Sequence, residues 1–154
     1  MDSPIGPLRL TTDDDAVHEV LFCNEIGNSD KNLPDIMIEL AKQLKAYFED
    51  TLQDFDLQLN PQGTDFQKRV WKELENIPFG KNRSYLDMAN KLGDPKVIRA
   101  AASTNGKNPI SIIIPCHRVI GKNGSLTGYA SGLHRKKWLL DHENRLANGV
   151  LELF

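Results

Sequence analysis

The chain is organised around an apolar run that ends in a cysteine next to a histidine. Residues 110–119 read Ile-Ser-Ile-Ile-Ile-Pro-Cys-His-Arg-Val, and the three consecutive β-branched isoleucines at 112–114 favour a buried strand. Pro115 cannot donate to a β-ladder and biases the residue before it toward extended geometry, so the strand is predicted to end where Cys116 begins. Adjacent side chains on an extended segment point to opposite faces. A contact between Cys116 and His117 therefore requires a turn or a bridging water.

The overall composition is that of a soluble globular protein. The 154 residues are 40% hydrophobic and 26% charged, a length that fits one large domain or two small ones. No stretch approaches the roughly 20 apolar residues of a membrane span, and the acidic N-terminus lacks the basic start and apolar centre of a signal peptide. We therefore expect a cytoplasmic protein in which both cysteines, Cys23 and Cys116, are free thiols.

Charge is segregated along the chain. Residues 1–60 contain 4 Lys and Arg against 13 Asp and Glu, whereas residues 61–154 contain 15 against 8. A basic half joined to an acidic half is expected if only the second half meets phosphates, as in a nucleic-acid-binding protein. The alternative is a solvated charged surface with an accidental asymmetry.

The first half predicts a small antiparallel sheet with a helix. Apolar and polar residues alternate in residues 3–11 and 16–23, which indicates a β-hairpin. Helical spacing of apolar residues over 34–49 predicts an amphipathic helix, and alternation over 55–59 predicts one more short strand. Residues 60–63, Asn-Pro-Gln-Gly, are typical of a linker.

This half carries no predicted chemistry of its own. His18 and Cys23 lie on the second predicted strand, but the common structural zinc spacings are absent. The sequence therefore predicts no metal site.

The second half predicts four helices, 64–77, 84–92, 96–104 and 133–146. Ser84 followed three residues later by Asp87 is a capping-box-like helix start. The second and third helices are short and are joined by a tight Gly-Asp-Pro turn, with Asp as the N-cap and Pro at the first helical position of the third. This arrangement predicts a helix-turn-helix.

The third of these helices has a nearly bare surface around one long side chain. Ala100, Ala101, Ala102 and Ser103 surround Arg99. Small residues permit close packing against a neighbouring helix, and they equally suit insertion into a narrow DNA groove. The residues alone leave both interpretations open.

The second half resembles the O6-alkylguanine-DNA alkyltransferases, also called methylated-DNA–protein-cysteine methyltransferases, in one colinear run over residues 60–146. The residues that carry the resemblance are Pro115-Cys116-His117-Arg118-Val119, Ile120-Gly121, Gly124, Leu126, Gly128-Tyr129, Gly132-Leu133 and Leu139-Leu140-Asp141-His142-Glu143. The resemblance implies direct reversal of DNA damage, with one irreversible transfer of a methyl or other alkyl group from a flipped-out O6-alkylguanine, or from O4-alkylthymine, to Cys116. It implies no cofactor.

The expected architecture is α+β. A small N-terminal antiparallel sheet plus helix occupies residues 1–60, and a helical C-terminal domain with a winged-helix-like helix-turn-helix occupies 61–154. The expected partner is double-stranded DNA containing O6-alkylguanine, bound by a monomer and without a membrane.

By this resemblance, Cys116 is the nucleophile. Free cysteine has a pKa near 8.5, so little thiolate exists at neutral pH unless a base assists. We expect His117 to assist through a water, with Glu143 holding the imidazole tautomer, by analogy with other triads. Arg118 is expected to tie loops together through its planar donor fork.

The resemblance also implies how DNA is held. The helix with Ala100, Ala102 and Ser103 is expected to enter the minor groove, with Arg99 intercalating where the target nucleotide was. Tyr85 is expected to assist base flipping and to donate to the leaving oxygen.

The remaining implied roles form the base pocket. Asn108 is expected to brace the recognition helix against the active-site strand. The carbonyl groups of Cys116 and Val119 and the amide of Ala130 are expected to read the guanine edge, while the loop that begins at Tyr129 forms one wall. Many relatives have a serine where this chain has Ala130.

Two other functions stay open at this stage. A lesion-binding module would recognise alkylguanine without transfer, but relatives of that kind lack the cysteine that this chain has at position 116. A Cys-His-Glu hydrolase would catalyse many reaction cycles, but neither the helix of small residues around Arg99 nor the segregated charge would have a role in it.

Overall fold

The computed structural model describes residues 1–149, which divide into two compact units. The first unit is Met1–Gln62 together with Pro109–Ser111, and the second is Gly63–Asn108 together with the chain from Ile112 onward. The predicted α+β class is confirmed. The assignment of domains to 1–60 and 61–154 stays a prediction, and residues 150–154 lie outside the described part.

The first unit contains the predicted hairpin and helix. Its elements are β1 (Leu8–Thr12), β2 (Val17–Phe22) and α1 (Asp35–Phe48). The two strands pair antiparallel with a bulge between Thr11 and Thr12, and α1 buries Leu40, Leu44 and Tyr47. The strand predicted over 55–59 is reduced to a single bridge between Val17 and Leu59, so that prediction is wrong.

The hairpin turn is closed by a carboxylate. Oδ1 of Asp13 accepts from the backbone N–H groups of Asp15 and Ala16, and Oδ2 lies 2.7 Å from Nε2 of His18. The hydrogen bond from His18 lowers the pKa of Asp13 to about 2 and in turn raises that of His18. His18, the second residue of β2, thus stabilises the turn through Asp13. In residues 1–149, no three His, Cys, Asp or Glu side chains are grouped so that they could hold a metal ion.

The apolar run before the cysteine is not a strand. Ile110 makes one isolated bridge to Val20, and residues 111–114 form a turn in which Ile112 has a φ of 74°. The side-chain amide of Asn108 donates to the carbonyl of Ile114 at 2.8 Å and so closes the turn from within the protein. The isoleucines are buried in this turn without pairing in a β-ladder, so the predicted strand over 112–114 is wrong.

The second unit consists mainly of helices. Its elements are α2 (Asp65–Leu74), β3 (Arg83–Ser84), α3 (Tyr85–Lys91), α4 (Ile98–Asn105), β4 (Val119–Ile120) and α5 (Leu133–Asn148). Capping boxes begin α2 at Thr64 and α3 at Ser84, because each N-cap hydroxyl accepts from the N–H three residues on, and each N-cap backbone N–H donates to the side chain of that same residue.

The helix-turn-helix is formed by α3 and α4. Gly93 follows α3 with a φ of 94°, and Asp94 then caps a 3-10 turn, Pro95–Val97, that leads into α4. The α-helix therefore begins at Ile98, two residues later than predicted. Trp71 fixes this pair from α2, because its indole N–H donates to the carbonyl of Thr104 at 3.1 Å.

A short parallel pair of strands brings the helix-turn-helix to the cysteine segment. Arg83 lies opposite Val119 and Ser84 opposite Ile120. Since α3 begins directly after Ser84, its first residue is held beside β4.

Of the helices within residues 1–149, none has both the length and the apolar character needed to cross a membrane.

Candidate alkyl-transfer site

Cys116 lies in a 3-10 turn, Cys116–Arg118, between Pro115 and β4. The turn replaces the extended geometry in which neighbouring side chains diverge, so Cys116 and His117 can serve one site. The thiol is 5% exposed, and the side-chain amide of Asn108 donates to its sulfur at 3.2 Å. Asn108 thus fixes both the turn before the cysteine and the sulfur itself.

Burial raises the pKa of the Cys116 thiol. The amide of Asn108 and the positive charge of Lys136 act in the opposite direction without overcoming burial. The protein at rest therefore holds a protonated thiol, and formation of the thiolate requires a base.

His117 is fully buried and is oriented by a carboxylate. Its Nε2 lies 2.7 Å from Oε2 of Glu143 on α5, which is 1% exposed. With the proton on Nε2 donated to Glu143, Nδ1 carries the lone pair, and it has no hydrogen-bond partner among the described residues. Burial lowers the pKa of His117, more than the adjacent carboxylate raises it. A neutral imidazole with an available lone pair is suited to act as a general base.

Arg118 completes this buried network. It donates to both oxygens of Glu143, from Nε at 2.7 Å and from a terminal nitrogen at 3.0 Å, and to the carbonyl of Ile77 at 2.7 Å. Although burial opposes it, the contacts with His117 and Arg118 hold the pKa of Glu143 well below its usual range. Glu143 is therefore an anion that orients two side chains.

Tyr85, the first residue of α3, faces the loop that follows β4. Its hydroxyl donates to the carbonyl of Thr127 at 3.1 Å, and its ring lies 5.9 Å from the Lys136 ammonium. Burial raises the pKa of this phenol, so it remains a proton donor at neutral pH.

Lys136 belongs to the site and was not predicted from the sequence. It is fully buried on α5, and its ammonium donates to the carbonyl groups of Val119 at 2.6 Å, Thr127 at 2.9 Å and Gly128 at 3.5 Å. Burial lowers its pKa to about 8, while the nearby Cys116 opposes the shift. Lys136 precedes the buried Leu139, Leu140 and Glu143 by three, four and seven residues, a helical spacing that could have revealed it.

The pocket wall predicted around Tyr129 and Ala130 is a loop. Tyr129 is half-buried and Ala130 exposed, and the loop ends at Gly132, which has a φ of 102°. Val119, in contrast, is buried, and its carbonyl is taken by Lys136. The Val119 side of the predicted pocket is thus buried and fixed by a hydrogen bond from Lys136, whereas the side formed by Tyr129 and Ala130 is a partly exposed loop.

The predicted DNA-contacting residues do not join the cysteine cluster. Arg99, Ala100 and Ser103 are exposed on α4, Ala102 is half-buried, and Ala101 points to the interior. One side of the helix is therefore packed, while the other presents a single long cationic side chain among small ones. The buried side agrees with close packing against neighbouring elements, and insertion of the exposed side into a DNA groove stays a prediction.

Comparison with known proteins matches both halves of the chain. The profile of the 6-O-methylguanine DNA methyltransferase DNA binding domain matches residues 65–145, and that of the ribonuclease-like domain matches residues 1–61. A methylated-DNA–protein-cysteine methyltransferase from Methanosarcina acetivorans is 46% identical over 149 residues, covering 92% of this chain and 94% of the relative. One from Mycobacterium tuberculosis is 43% identical over 158 residues, covering 100% and 96%.

Solved structures are similar over nearly the same extent. The crystal structure of Mycobacterium tuberculosis O6-methylguanine methyltransferase has a TM-score of 0.85 at 42% identity, covering 98% of this chain and 94% of that one. The crystal structure of Mycobacterium tuberculosis OGT in complex with DNA has a TM-score of 0.86 at 44% identity, covering 96% and 92%.

Proposed function

The chain belongs to the methylated-DNA–protein-cysteine methyltransferase family, and on this premise we propose that it accepts an alkyl group from O6-alkylguanine in duplex DNA onto Cys116. Its partner is DNA. The observation that carries the proposal is the buried Cys116 thiol, held by Asn108 and followed directly by the His117–Glu143 pair. A solvated surface cysteine would have none of these supports.

The first chemical step is removal of the thiol proton. Nδ1 of His117 accepts it, through a water, while Glu143 and Arg118 hold the imidazole in place. The resulting imidazolium is stabilised by the Glu143 carboxylate, and the thiolate by the Asn108 amide and the Lys136 charge.

Transfer then exchanges one bond for another. The sulfur attacks the alkyl carbon in line, the S–C bond forms, and the bond from that carbon to guanine O6 breaks with its electron pair going to the base. The base takes a proton and becomes guanine; we assign this donation to the Tyr85 hydroxyl, which in the unbound protein donates to the carbonyl of Thr127 and which afterwards regains a proton from solvent. A thioether has no ready route back to a thiol, so each molecule acts once.

Before this step, the nucleotide must leave the duplex. Extrusion of a poorly paired alkylated base costs only a few kcal/mol, and a side chain inserted into the stack offsets part of that cost. On the exposed face of α4, Arg99 has the length and the planar guanidinium for this role. The small neighbours Ala100, Ala102 and Ser103 let the backbone approach the groove.

We expect Arg99→Ala to slow transfer from duplex DNA about tenfold, which corresponds to about 1.4 kcal/mol of lost compensation. Reaction with the free base O6-benzylguanine needs no extrusion and should change by less than about twofold. Arg99→Lys keeps the charge but not the planar stacking surface, so it should rescue little. Single-turnover rates on the two substrates measure this, and equal slowing on both would show that Arg99 only supports the fold.

We expect Lys136→Met to slow transfer at least tenfold on duplex DNA and on the free base alike, because the thiolate loses its nearby cation and three carbonyl groups lose their donor. The pH at which the rate increases should also be higher in this variant than in the wild type, since Lys136 lowers the pKa of Cys116. Lys137→Met is the matched control, because Lys137 is half-exposed and pairs with Asp141. Identical pH profiles of the rate for Lys136→Met and Lys137→Met would show that Lys136 does not act in the site.

The function as a whole is tested by intact mass spectrometry after incubation with O6-methylguanine duplex DNA. A gain of one methylene unit, confined to the Cys116 peptide, is expected. An unchanged mass together with tight DNA binding would instead identify a lesion-binding module. Repeated hydrolysis of an ester or peptide would identify a hydrolase.

The proposal extends to the cellular compartment and to the oligomeric state. A catalytic thiol that must stay reduced supports action in the cytoplasm, where thiols are kept reduced. We also propose a monomer as the acting species, because the hydrogen bonds that hold Cys116, His117 and Glu143 are satisfied without a second copy. Sedimentation at micromolar concentration tests the second point.

A further inference from the structure

His18 lies between two acceptor oxygens that come from different parts of the first unit. Its Nε2 is 2.7 Å from Oδ2 of Asp13 in the hairpin turn, and its Nδ1 is 3.2 Å from the carbonyl oxygen of Asn60. Neither oxygen carries a proton, because the hydrogen bond from His18 lowers the pKa of Asp13 to about 2 and a backbone carbonyl only accepts. Both ring nitrogens must therefore be protonated if both contacts are to be hydrogen bonds.

A neutral imidazole carries one N–H and cannot make both bonds. The Asp13 carboxylate is the closer and the stronger acceptor, so the single proton of the neutral ring stays on Nε2. The lone pair on Nδ1 then faces the lone pairs of the Asn60 carbonyl oxygen across 3.2 Å. Loss of one proton thus changes the contact with Asn60 from attraction to repulsion, while the contact with Asp13 persists.

Asn60 ends a segment that pairs with the edge of β2. The N–H of Val17 donates to the carbonyl of Gln58, and the N–H of Asn60 donates to the carbonyl of Val17, each at 2.8 Å. The chain enters the second unit at Gly63, three residues after Asn60. His18 therefore adds a side-chain hydrogen bond close to the point where the chain leaves the first unit.

The charged groups around His18 favour its protonated form. Asp13 is the main cause that raises the pKa of His18, and Glu19, the next residue of β2, acts in the same direction against desolvation. Glu19 itself lies 3.9 Å from Arg9 of β1. The segment 58–60 contributes a carbonyl and has no ionisable side chain. The surroundings thus favour the imidazolium to a pH above its ordinary pKa of 6.5.

We propose that His18 is a pH-sensitive latch, whose imidazolium joins the Asn60 carbonyl to the Asp13 carboxylate and whose deprotonation releases Asn60. A group with a raised folded pKa contributes stability that is fully present below its unfolded pKa and is lost as the pH rises through the folded value. The latch is therefore closed below pH 6.5 and opens on the alkaline side of it. It controls how firmly the chain is held before the linker, and it does not depend on alkyl transfer.

The test follows His18 and Asn60 by NMR in the full chain as the pH is raised. We expect the His18 ring signals to titrate above 6.5 and the carbonyl carbon of Asn60 to shift with the same midpoint. Exchange of the Asn60 amide hydrogen, corrected for its intrinsic pH dependence, should become about threefold faster across this transition, because one exposed hydrogen bond nearby is lost. His18→Leu lacks both nitrogens, so it identifies the ring signals and should abolish the transition at Asn60.

Asp13→Asn is the sharpest variant, because it changes which nitrogen keeps the proton. Its amide oxygen can still accept from the two backbone N–H groups of the turn, while its NH2 group donates to Nε2 of the neutral ring. The proton of that ring then lies on Nδ1 and bonds the Asn60 carbonyl. We expect His18 to titrate at a lower pH than in the wild type, and the acceleration of exchange at Asn60 to disappear.

Gln62→Met is the matched control. The side-chain amide of Gln62 also donates to the Asn60 carbonyl, at 3.4 Å, but it does not titrate, so its removal should leave the transition in place. A wild-type His18 that titrates at or below 6.5 would overturn the proposal. A higher midpoint without a response at Asn60 would also overturn it, since His18 would then pair with Asp13 alone. Equal acceleration of Asn60 exchange in the wild type and in Asp13→Asn would exclude the latch as its cause.

Discussion

Cys116→Ser is expected to abolish alkyl transfer while leaving the affinity for DNA within about threefold of the wild type, because the exchange removes the nucleophile without changing the DNA-facing surface. A serine hydroxyl has nearly the same volume as the thiol and can still accept from Asn108, which lies 3.2 Å from the sulfur. Its pKa, however, is far higher than that of a thiol, so a neutral His117 cannot deprotonate it appreciably. Intact mass after incubation with O6-methylguanine duplex DNA should therefore stay unchanged.

The chain offers a matched control in its other cysteine. Cys23 is half-buried, and its thiol donates to the carbonyl of Glu25. Nothing on the described part of the chain gives Cys23 a base comparable to His117, so Cys23→Ser should transfer at the wild-type rate. A methyl group on the Cys116→Ser protein, or its loss from the Cys23→Ser protein, would contradict the assignment of Cys116 as acceptor.

The starts of α2 and α3 were predictable because they are set by neighbouring residues, whereas α2 ends at Leu74, three residues before the predicted end. Thr64 and Ser84 each cap a helix by accepting from an N–H three residues on, a contact made entirely within one turn. Asp94 likewise caps the turn that leads into α4. Chemistry that stays within four residues can be read from a sequence without knowledge of the fold.

The segment before Cys116 was not predictable for the opposite reason. Consecutive isoleucines at 112–114 indicate a strand only if another strand is available to pair with them, since β-propensity mostly reflects packing. Here the Asn108 side chain bonds the Ile114 carbonyl and closes a turn, and Ile112 adopts a positive φ that is rare for a β-branched residue. Only the tertiary structure reveals that partner.

Lys136 escaped prediction because a lysine normally indicates a solvated surface. Its three carbonyl acceptors come from residues 119, 127 and 128, which are brought together only by the turn at Cys116 and the loop after β4. The resemblance implied roles for Cys116, His117 and Glu143, but the buried cation near Cys116 becomes visible only in the folded chain.

Glu143→Gln is expected to lower both stability and activity, because the Glu143 carboxylate compensates the buried guanidinium of Arg118. It accepts from Nε2 of His117 at 2.7 Å and from two nitrogens of Arg118 at 2.7 and 3.0 Å. Glutamine has one acceptor oxygen in place of two, and its amide N–H groups would face the donors of His117 or Arg118. Breaking a buried ion pair by removal of one partner typically costs about 3–5 kcal/mol. Denaturant unfolding should show a loss of this size.

The pH dependence of this loss follows from the pKa of Glu143, which the fold holds below the ordinary value of 4.5. A carboxylate with a lowered pKa contributes stability above its unfolded pKa and loses that contribution as the pH falls through the folded value. The difference between wild type and Glu143→Gln should therefore be full at neutral pH and shrink on acidification below 4.5.

Asp141→Asn provides the control on the same helix. Asp141 pairs with Lys137 at 2.6 Å, but the two side chains are 21% and 39% exposed, and such pairs contribute only about 0.5 kcal/mol. Transfer by Glu143→Gln should be at least about tenfold slower than by Asp141→Asn, since His117 loses the carboxylate that fixes its tautomer and stabilises its cation. If Glu143→Gln unfolds like the control yet transfers slowly, Glu143 acts on the reaction alone. If it is destabilised but transfers at the control's rate, His117 does not depend on Glu143, and the general-base role must be reassigned.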